Sequence, residues 1–182
     1  MVPSGHGRWA ARCTSLPPRP VRLSYFSYRL AQEVLESSTY RQEWGEVQDI
    51  LTRLRPSPGG RQKHPVSQQV MNAWLDDQFR ARDWEYHPRI IEGTRLEGDY
   101  RKHRIQVEVQ FGNMARWTYD VLKFQISYSK DLIDIGILTV SMQEFAGSIG
   151  DNIAYFERVC RELPHAKLSI TLPIMVIGIE PE

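Results

Sequence analysis

The sequence predicts an α/β fold, with a central mixed β-sheet that contains an antiparallel hairpin and has helices on both faces. Residues between Arg95 and Phe111 alternate between polar and apolar around one polar turn, which is typical of a hairpin. Two later apolar segments, Ile133–Val140 and Leu168–Ile179, are separated by a helical pattern. Strands of this kind are usually covered by helices on both sides.

The remaining elements follow from local periodicity and from the residues that interrupt it. Val21–Tyr28 is rich in β-forming residues and predicts an edge strand. Helical spacing of apolar residues predicts five helices: Arg29–Ser37, Tyr40–Leu54, Ser67–Arg82, Ala115–Ser129 and Gln143–Leu163. Arg55–Pro65 holds three prolines and two glycines, so we expect neither helix nor strand there. This basic loop either contacts phosphates or is simply solvated.

A length of 182 residues favours one domain, which we assign to residues 21–182. Hydrophobic residues make up 41% of the chain and charged residues 25%, a composition that excludes wholesale disorder. No apolar run is long enough to predict a membrane span. Residues 1–20 are basic, contain four prolines and have no apolar core of a secretory signal, so we predict a disordered basic arm.

The cysteines and the net charge give limited information about the cellular compartment and the binding partner. Cys13 and Cys160 are far apart in the sequence, which argues against a disulfide framework and favours a reducing cytoplasm. The net charge of +1 permits a nucleic-acid partner without requiring one, because basic residues can still be concentrated on one face.

The hairpin carries a candidate metal site. We place Arg101, Lys102 and His103 in its turn, with Asp99 before the turn and the strand Arg104–Phe111 after it. Alternation puts Gln106, Glu108 and Gln110 on one face of that strand, so Asp99 and Glu108 can converge. Two carboxylates, completed by water and a substrate phosphate, suit Mg²⁺. Such an ion can polarise a phosphate and activate an attacking water, which the amide of Gln110 can orient.

Spacing alone leaves a second interpretation open. An antiparallel hairpin with alternating polar residues is also ordinary solvated β-structure, and that is the default for an outer face.

The segment Asp99–Asn113, D-Y-R-K-H-R-I-Q-V-E-V-Q-F-G-N, resembles the active-site hairpin of the PD-(D/E)XK nuclease superfamily. It is most similar to the type II restriction endonucleases of the BglII and BstYI family, in which E-x-Q replaces E-x-K and V-E-V-Q-F is characteristic. Here that string is Val107–Phe111, and the nine-position interval from Asp99 to Glu108 also fits. The resemblance extends in order from about Val66 to the C-terminus, through segments that resemble the family's later helices and strands: Arg116–Tyr128, Ile133–Ile137, Asn152–Glu157 and Leu172–Ile179.

The resemblance implies a restriction-endonuclease-like fold and a Mg²⁺-dependent endonuclease that cuts double-stranded DNA. Asp99, Glu108 and Gln110 are then the catalytic residues; the first two are the metal ligands, and Gln110 takes the place of the lysine in the usual E-x-K pattern. It further implies a short palindromic site with a GATC core. Symmetry then predicts a homodimer, because one active site cuts one strand and a two-fold dimer meets a palindrome. Whether a cognate DNA methyltransferase accompanies the enzyme is left open by the sequence. The chain is short for such an enzyme, and residues 1–20 match nothing in the family.

Several other residues are secondary candidates. Glu85 can add a metal or water contact, Asn72 can reach DNA, and His87 or His103 can act as a base or phosphate contact, although each also suits an ordinary surface position. Basic side chains can neutralise phosphate charge or merely solvate the surface: Arg101, Lys102, Arg104, Lys123 and Lys130.

Two other functions remain open at the level of the sequence. One is a nuclease fold that binds DNA or protein without cutting, since a fold can be retained after its catalytic activity is lost. The other is a metal hydrolase that acts on a small phosphoester. Cleavage of plasmid DNA separates the first from an endonuclease, and turnover of a small ester without DNA binding identifies the second.

Overall fold

The computed structural model describes residues 20–56, the backbone of 58–61, and 63–182. Its strands are β1 (Val21–Tyr28), β2 (Pro58–Arg61), β3 (His64–Val66), β4 (Glu85–Tyr86), β5 (Tyr100–Lys102), β6 (Ile105–Gln110), β7 (Ile135–Ser141) and β8 (Ile174–Pro181). Its helices are α1 (Ala31–Glu36), α2 (Arg41–Arg53), α3 (Gln68–Arg80), α4 (Arg116–Ser129), α5 (Gln143–Ile149) and α6 (Phe156–Glu162), and a 3₁₀ turn spans Leu163–Ala166.

Six of the described strands form one mixed sheet in the order β1-β8-β7-β6-β5-β4. Strands β6, β7 and β8 run parallel, whereas β1, β5 and β4 each pair antiparallel with their neighbour. All seven residues of β7 are buried, as expected for a central parallel strand covered on both faces. The predicted mixed sheet, its edge strand Val21–Tyr28 and its hairpin are therefore confirmed.

Helices cover both faces of this sheet, as predicted. Ile135 and Ile137 of β7 belong to an apolar cluster with α1, α2, α3 and α5. Leu138 and Val140 of the same strand pack in a second cluster with α4 and α6. Alternate side chains of one strand thus enter two separate cores, which fixes the sheet between two helical layers.

The Pro/Gly-rich segment is not the irregular loop we expected. Strands β2 and β3 pair antiparallel within it, with Pro58 opposite Val66 and Arg61 opposite His64. Every strand of a two-stranded ribbon is an edge strand, and edge strands tolerate proline because its missing N–H is not needed for pairing. The prediction of no strand between Arg55 and Pro65 was therefore wrong.

The turn of the main hairpin lies later than predicted. Arg101 and Lys102 belong to β5, and Lys102 pairs with Ile105, which leaves His103 and Arg104 as a two-residue turn. His103 has a φ of 49°, the left-handed conformation that such turns require and that glycine or asparagine usually supplies. The absence of that residue signal explains why the observed turn begins two residues later, and ends one residue later, than predicted.

The predicted helix Gln143–Leu163 is interrupted after Ile149. The N–H of Met114 donates to the carbonyl of Asn152 at 2.9 Å, and that of Ala154 donates to the carbonyl of Gly112 at 3.0 Å. Backbone pairing with the segment after β6 therefore replaces helical hydrogen bonds between α5 and α6.

The last strand also begins later than predicted. A turn follows the 3₁₀ segment, Leu168 is 90% exposed, and pairing with β7 starts only at Ile174, after Pro173.

Apart from Pro20, the predicted basic arm lies outside the described residues. None of the helices in the described part of the chain combines the length and the apolar character that a bilayer span requires.

Candidate active site

The hairpin places Asp99 opposite Glu108. Tyr100 pairs with Val107 in the antiparallel register, so the residue before Tyr100 faces the residue after Val107. The N–H of Asp99 donates to Oε1 of Glu108 at 3.2 Å, and the N–H of Val109 donates to Oδ2 of Asp99 at 2.8 Å. The two carboxylates are therefore held side by side by backbone groups of the opposite strand.

The polar face of β6 is buried rather than solvated. Gln106 and Glu108 are fully buried, and Gln110 is 8% exposed. Helix α4 covers this face, because the chain crosses over the sheet between the parallel strands β6 and β7. The interpretation of the hairpin as ordinary solvated structure is therefore wrong.

Three polar residues of α4 contact this buried face. Nζ of Lys123 forms an ion pair with Oε2 of Glu108 and lies 3.0 Å from Oδ1 of Asp120. The hydroxyl of Ser127 donates to Oε1 of Gln106 at 2.7 Å. Neither Asp120 nor Ser127 was predicted as a site residue, and the direction of Lys123 was left open by the sequence. Asp120, Lys123 and Ser127 are spaced by three and four residues and share α4 with the buried Trp117 and Phe124, and this spacing was the available signal.

A second chain of hydrogen bonds continues from Ser127 to the carboxylates. Nε2 of Gln106 donates to Oε1 of Glu108 at 2.7 Å, so this oxygen accepts from both Gln106 and the backbone of Asp99. Buried polar groups need such partners, because an unsatisfied one costs about 1–3 kcal/mol. Gln106 thus connects helix α4 to the carboxylate of Glu108.

Gln110 lies beside the two carboxylates and is tied to α4. Its Nε2 donates to Oδ2 of Asp120 at 2.9 Å, and its Oε1 accepts from the N–H of Gly112 at 2.9 Å. Asp120 therefore holds both Gln110 and Lys123 in place.

These residues form one wall of an open cavity of about 380 Å³. The wall includes Asp99, Gln110, Asp120 and Lys123, and α3 supplies Gln68, Asn72 and Asp76 on the other side. Glu108 lies behind Lys123 and does not line the cavity.

The cluster has an excess of negative charge. Burial raises the pKa of Asp99 above its ordinary value, despite the hydrogen bond from Val109. Burial and the charge of Asp99 raise the pKa of Glu108 well above its ordinary value. Although burial alone lowers the pKa of Lys123, the charges of Glu108 and Asp120 raise it overall. Three carboxylates surround one ammonium, and a further cation would relieve their repulsion.

The donor set suits a magnesium ion. Within the described ranges, no group of three or more His, Cys, Asp and Glu side chains is arranged as a complete metal cage. Mg²⁺ does not need one, because it commonly keeps several waters and takes one or two carboxylates plus substrate phosphate. Asp99 lines the cavity, and its Oδ1 accepts no hydrogen bond from the described residues. Asp99 and Glu108 are the residues that would hold the ion.

Two secondary candidates line the cavity. His87 has a left-handed φ of 51°, and its ring nitrogen lies 3.4 Å from the carbonyl of Gly98. Asn72 has a buried Oδ1 without a hydrogen-bond partner among the described residues.

The other secondary candidates, apart from Lys123, do not line the cavity. Glu85 is exposed and lies 2.8 Å from Arg101, and His103 lies 2.6 Å from Glu43 at the turn. Lys102 pairs with Glu46, Arg104 pairs with Asp131 and Asp134, and Lys130 is exposed. Each hairpin cation therefore already has a carboxylate partner.

Comparisons with known protein families and with solved structures both find BglII-type restriction endonucleases. A sequence model of the family "Restriction endonuclease BglII/BglIII" matches residues 23–179. The fold is similar to a crystal structure of restriction endonuclease BglII complexed with a DNA 16-mer, with a TM-score of 0.72 and 18% identity over 86% of this chain and 75% of that one. It is also similar to a crystal structure of free BglII, with a TM-score of 0.65 and 18% identity over 88% and 80% of the two chains. No curated protein matches significantly.

Proposed function

Because this chain belongs to the BglII/BglIII restriction endonuclease family, we propose that it cuts double-stranded DNA at one short palindromic site in a Mg²⁺-dependent reaction, with Asp99, Glu108 and Gln110 as catalytic residues. Family membership makes it a type II site-specific deoxyribonuclease. A GATC core is the expected centre of the site. The catalytic assignment rests on one observation: backbone hydrogen bonds hold the carboxylates of Asp99 and Glu108 side by side next to a polar cavity.

In the proposed reaction, the oxygen of a water molecule forms a bond to phosphorus while one phosphorus–ester oxygen bond breaks. The electron pair of that bond leaves with the sugar oxygen, which takes one of the water protons. A bound magnesium ion would supply charge neutralisation at the phosphate and a lower pKa for the water.

The protein's part in this reaction is to orient groups that are already in place. Asp99 and Glu108 present carboxylate oxygens from opposite strands, and the backbone hydrogen bonds between those strands prevent them from separating. The amide of Gln110, anchored by Asp120, lies on the same wall and can contact the water or the phosphate. Preorganised polar groups of this kind need no rearrangement as the reaction proceeds.

DNA as the substrate has support from the relatives, since one BglII structure of the same fold was solved as a complex with a DNA 16-mer. We further propose a homodimer, because one site cuts one strand and a two-fold dimer matches a palindrome. A cognate methyltransferase would protect the host DNA. A cytoplasmic location suits the free thiol of Cys160 and a DNA substrate.

The test is cleavage of supercoiled plasmid and of genomic DNA in Mg²⁺, with EDTA as the negative control. We expect discrete fragments whose sequenced ends share one motif. Asp99→Ala should abolish cutting while DNA binding persists, and Asp77→Ala is the matched control because Asp77 is exposed on α3. Binding without cutting in Mg²⁺ or Mn²⁺ would instead support the non-catalytic module. Turnover of a small phosphoester without DNA binding would instead identify a metal hydrolase that acts on small phosphoesters. Sedimentation tests the dimer independently.

A further inference from the structure

Lys123 is the buried cation of the described cavity wall. Its side chain is 11% exposed, and its Nζ contacts Glu108 and lies 3.0 Å from Asp120. Arg116, the other lysine or arginine that lines the cavity, is exposed. Burying an ammonium costs several kcal/mol unless it is well paired, so a lysine in this position requires a reason.

Gln110 does not supply the positive charge that phosphate hydrolysis needs. Its carbonyl oxygen accepts from Gly112, its amide nitrogen donates to Asp120, and it is uncharged. Negative charge builds on the phosphate oxygens as water attacks, and a fixed cationic donor in a water-poor site stabilises that charge strongly. Lys123 is a buried cationic donor on the cavity wall, where such a phosphate would lie.

We infer that Lys123 is a further catalytic residue, whose ammonium donates to a non-bridging oxygen of the scissile phosphate. This inference rests on the proposed function and deepens it. Lys123 stands on α4, whereas the position two residues after Glu108 on β6, where the E-x-K pattern has its lysine, is occupied by Gln110. The cation therefore reaches the same cluster from a different element.

Asp120 makes the change of partner possible. Glu108 would hold the metal ion, and Nζ of Lys123 would then keep Asp120, which itself lines the cavity. The four-carbon stem of lysine is flexible enough for such a change of partner. The lysine that neutralises Glu108 in the metal-free protein would then face the substrate phosphate.

The test compares Lys123→Met and Lys123→Arg with the wild type. Lys130→Met is the matched control, since Lys130 is exposed at the end of the same helix. Single-turnover cleavage is measured at saturating Mg²⁺ and enzyme, and Mn²⁺ binding is measured without DNA by electron paramagnetic resonance. We expect K123M to slow cleavage by about 100-fold or more. K123R should lose less than about tenfold, because it keeps the charge but not the shape of the donor.

Mn²⁺ binding separates catalysis from a merely structural role. K123M should bind Mn²⁺ at least as tightly as the wild type, because the ammonium no longer competes for Glu108. Cleavage and metal affinity then change in opposite directions, or only cleavage changes. A damaged site would instead lose both together, and that result would overturn the inference. So would a K123M rate within about threefold of the wild type, which is far less than the loss of a charged donor causes.

Failure of this inference differs from failure of the proposed function. If the wild type and K130M cut DNA and K123M cuts equally well, only the role of Lys123 is lost. If neither the wild type nor K130M cuts, both are lost. Should K123M unfold below the assay temperature, K123Q takes its place under the same expectation, because glutamine keeps a hydrogen-bond donor without the charge.

Discussion

The N–H of Asp99 donates to a carboxylate oxygen of Glu108, and the N–H of Val109, the next residue after Glu108, donates back to Asp99. These crossed hydrogen bonds tie two acidic side chains together although their charges repel. The pKa of each carboxyl is raised, chiefly because burial disfavours its ionised form. Holding the two carboxyls together therefore costs the metal-free protein stability, as is common at functional sites.

The first prediction concerns Asp99→Asn. The asparagine keeps an acceptor for the N–H of Val109 but removes one charge next to Glu108. We expect cleavage to fall at least about 100-fold, since even groups that only orient metal ligands are worth about 10–100-fold. In EDTA the free energy of unfolding should rise, measured by urea denaturation. Asp77→Asn should change neither quantity. A D99N protein that cuts DNA as fast as the wild type would show that Asp99 is not a catalytic residue.

The second prediction is a pH dependence of stability that a divalent ion suppresses. Groups whose pKa is raised on folding add stability that is fully present below their unfolded pKa and is lost as the pH rises through the folded pKa. The metal-free protein should therefore become less stable as the pH rises above the ordinary carboxyl range of about 4. Mg²⁺ binds the ionised carboxylates, so its stabilising effect should grow with pH.

Thermal unfolding in EDTA and in excess Mg²⁺ measures this effect at several pH values. Asp99→Asn serves as the control, because its response to the ion should be weak at every pH. A Mg²⁺ effect that is equal at low and high pH would contradict the raised pKa values of the two carboxyls.

The hairpin illustrates how far the sequence alone determines the site. Period-two alternation placed Glu108 and Gln110 on one face, because it depends only on local strand geometry. The predicted hairpin brought Asp99 towards them, and the nine-position interval was taken from the resemblance to the BglII and BstYI family. The burial of that face depends on α4, a contact between distant residues. Nothing in β6 itself distinguishes a covered polar face from a solvated one, so Asp120 and Ser127 were missed.

Two errors in the fold have different physical origins. The turn at His103 adopts a left-handed conformation without a glycine or asparagine to announce it. The break between α5 and α6 is imposed by backbone pairing of Asn152 and Ala154 with the segment after β6. The break is stabilised by partners far away in the sequence, which local propensity does not register. The turn is closed by the local pairing of Lys102 with Ile105 and simply lacks the usual turn residue.

The third prediction concerns the link between α4 and Glu108. Gln106→Leu leaves the hydroxyl of Ser127 without its acceptor, and Ser127→Ala leaves Gln106 without its donor. Each should lower the free energy of unfolding by about 1–3 kcal/mol. The double variant should lose less than the sum, with a coupling of about 0.5–3 kcal/mol from urea denaturation. Ser129→Ala, exposed on the same helix, should stay within about 0.5 kcal/mol of the wild type. Strict additivity would mean that the two side chains act independently.

The fourth prediction concerns the glycine before Asp99. A Cβ on Gly98 would lie 2.8 Å from Nε2 of Gln106 and 2.9 Å from Oε1 of Glu108. These are the ends of side chains, but Ser127 and Lys123 hold them in a buried network, so neither can move without breaking a hydrogen bond. Gly98→Ala should therefore cost about 1–3 kcal/mol of stability, as overpacking usually does, and should also slow cleavage by displacing Glu108.

The control for that variant is Gly45→Ala. Gly45 lies on the exposed side of α2, where a Cβ would meet nothing within 4 Å. Alanine there should stabilise the protein by about 0.5–1 kcal/mol, because glycine loses more backbone freedom in a helix. The same chemical change then has opposite signs at two positions. If Gly98→Ala were as harmless as Gly45→Ala in both unfolding and cleavage, the carboxylate of Glu108 would not be held rigidly beside Gly98 and Asp99.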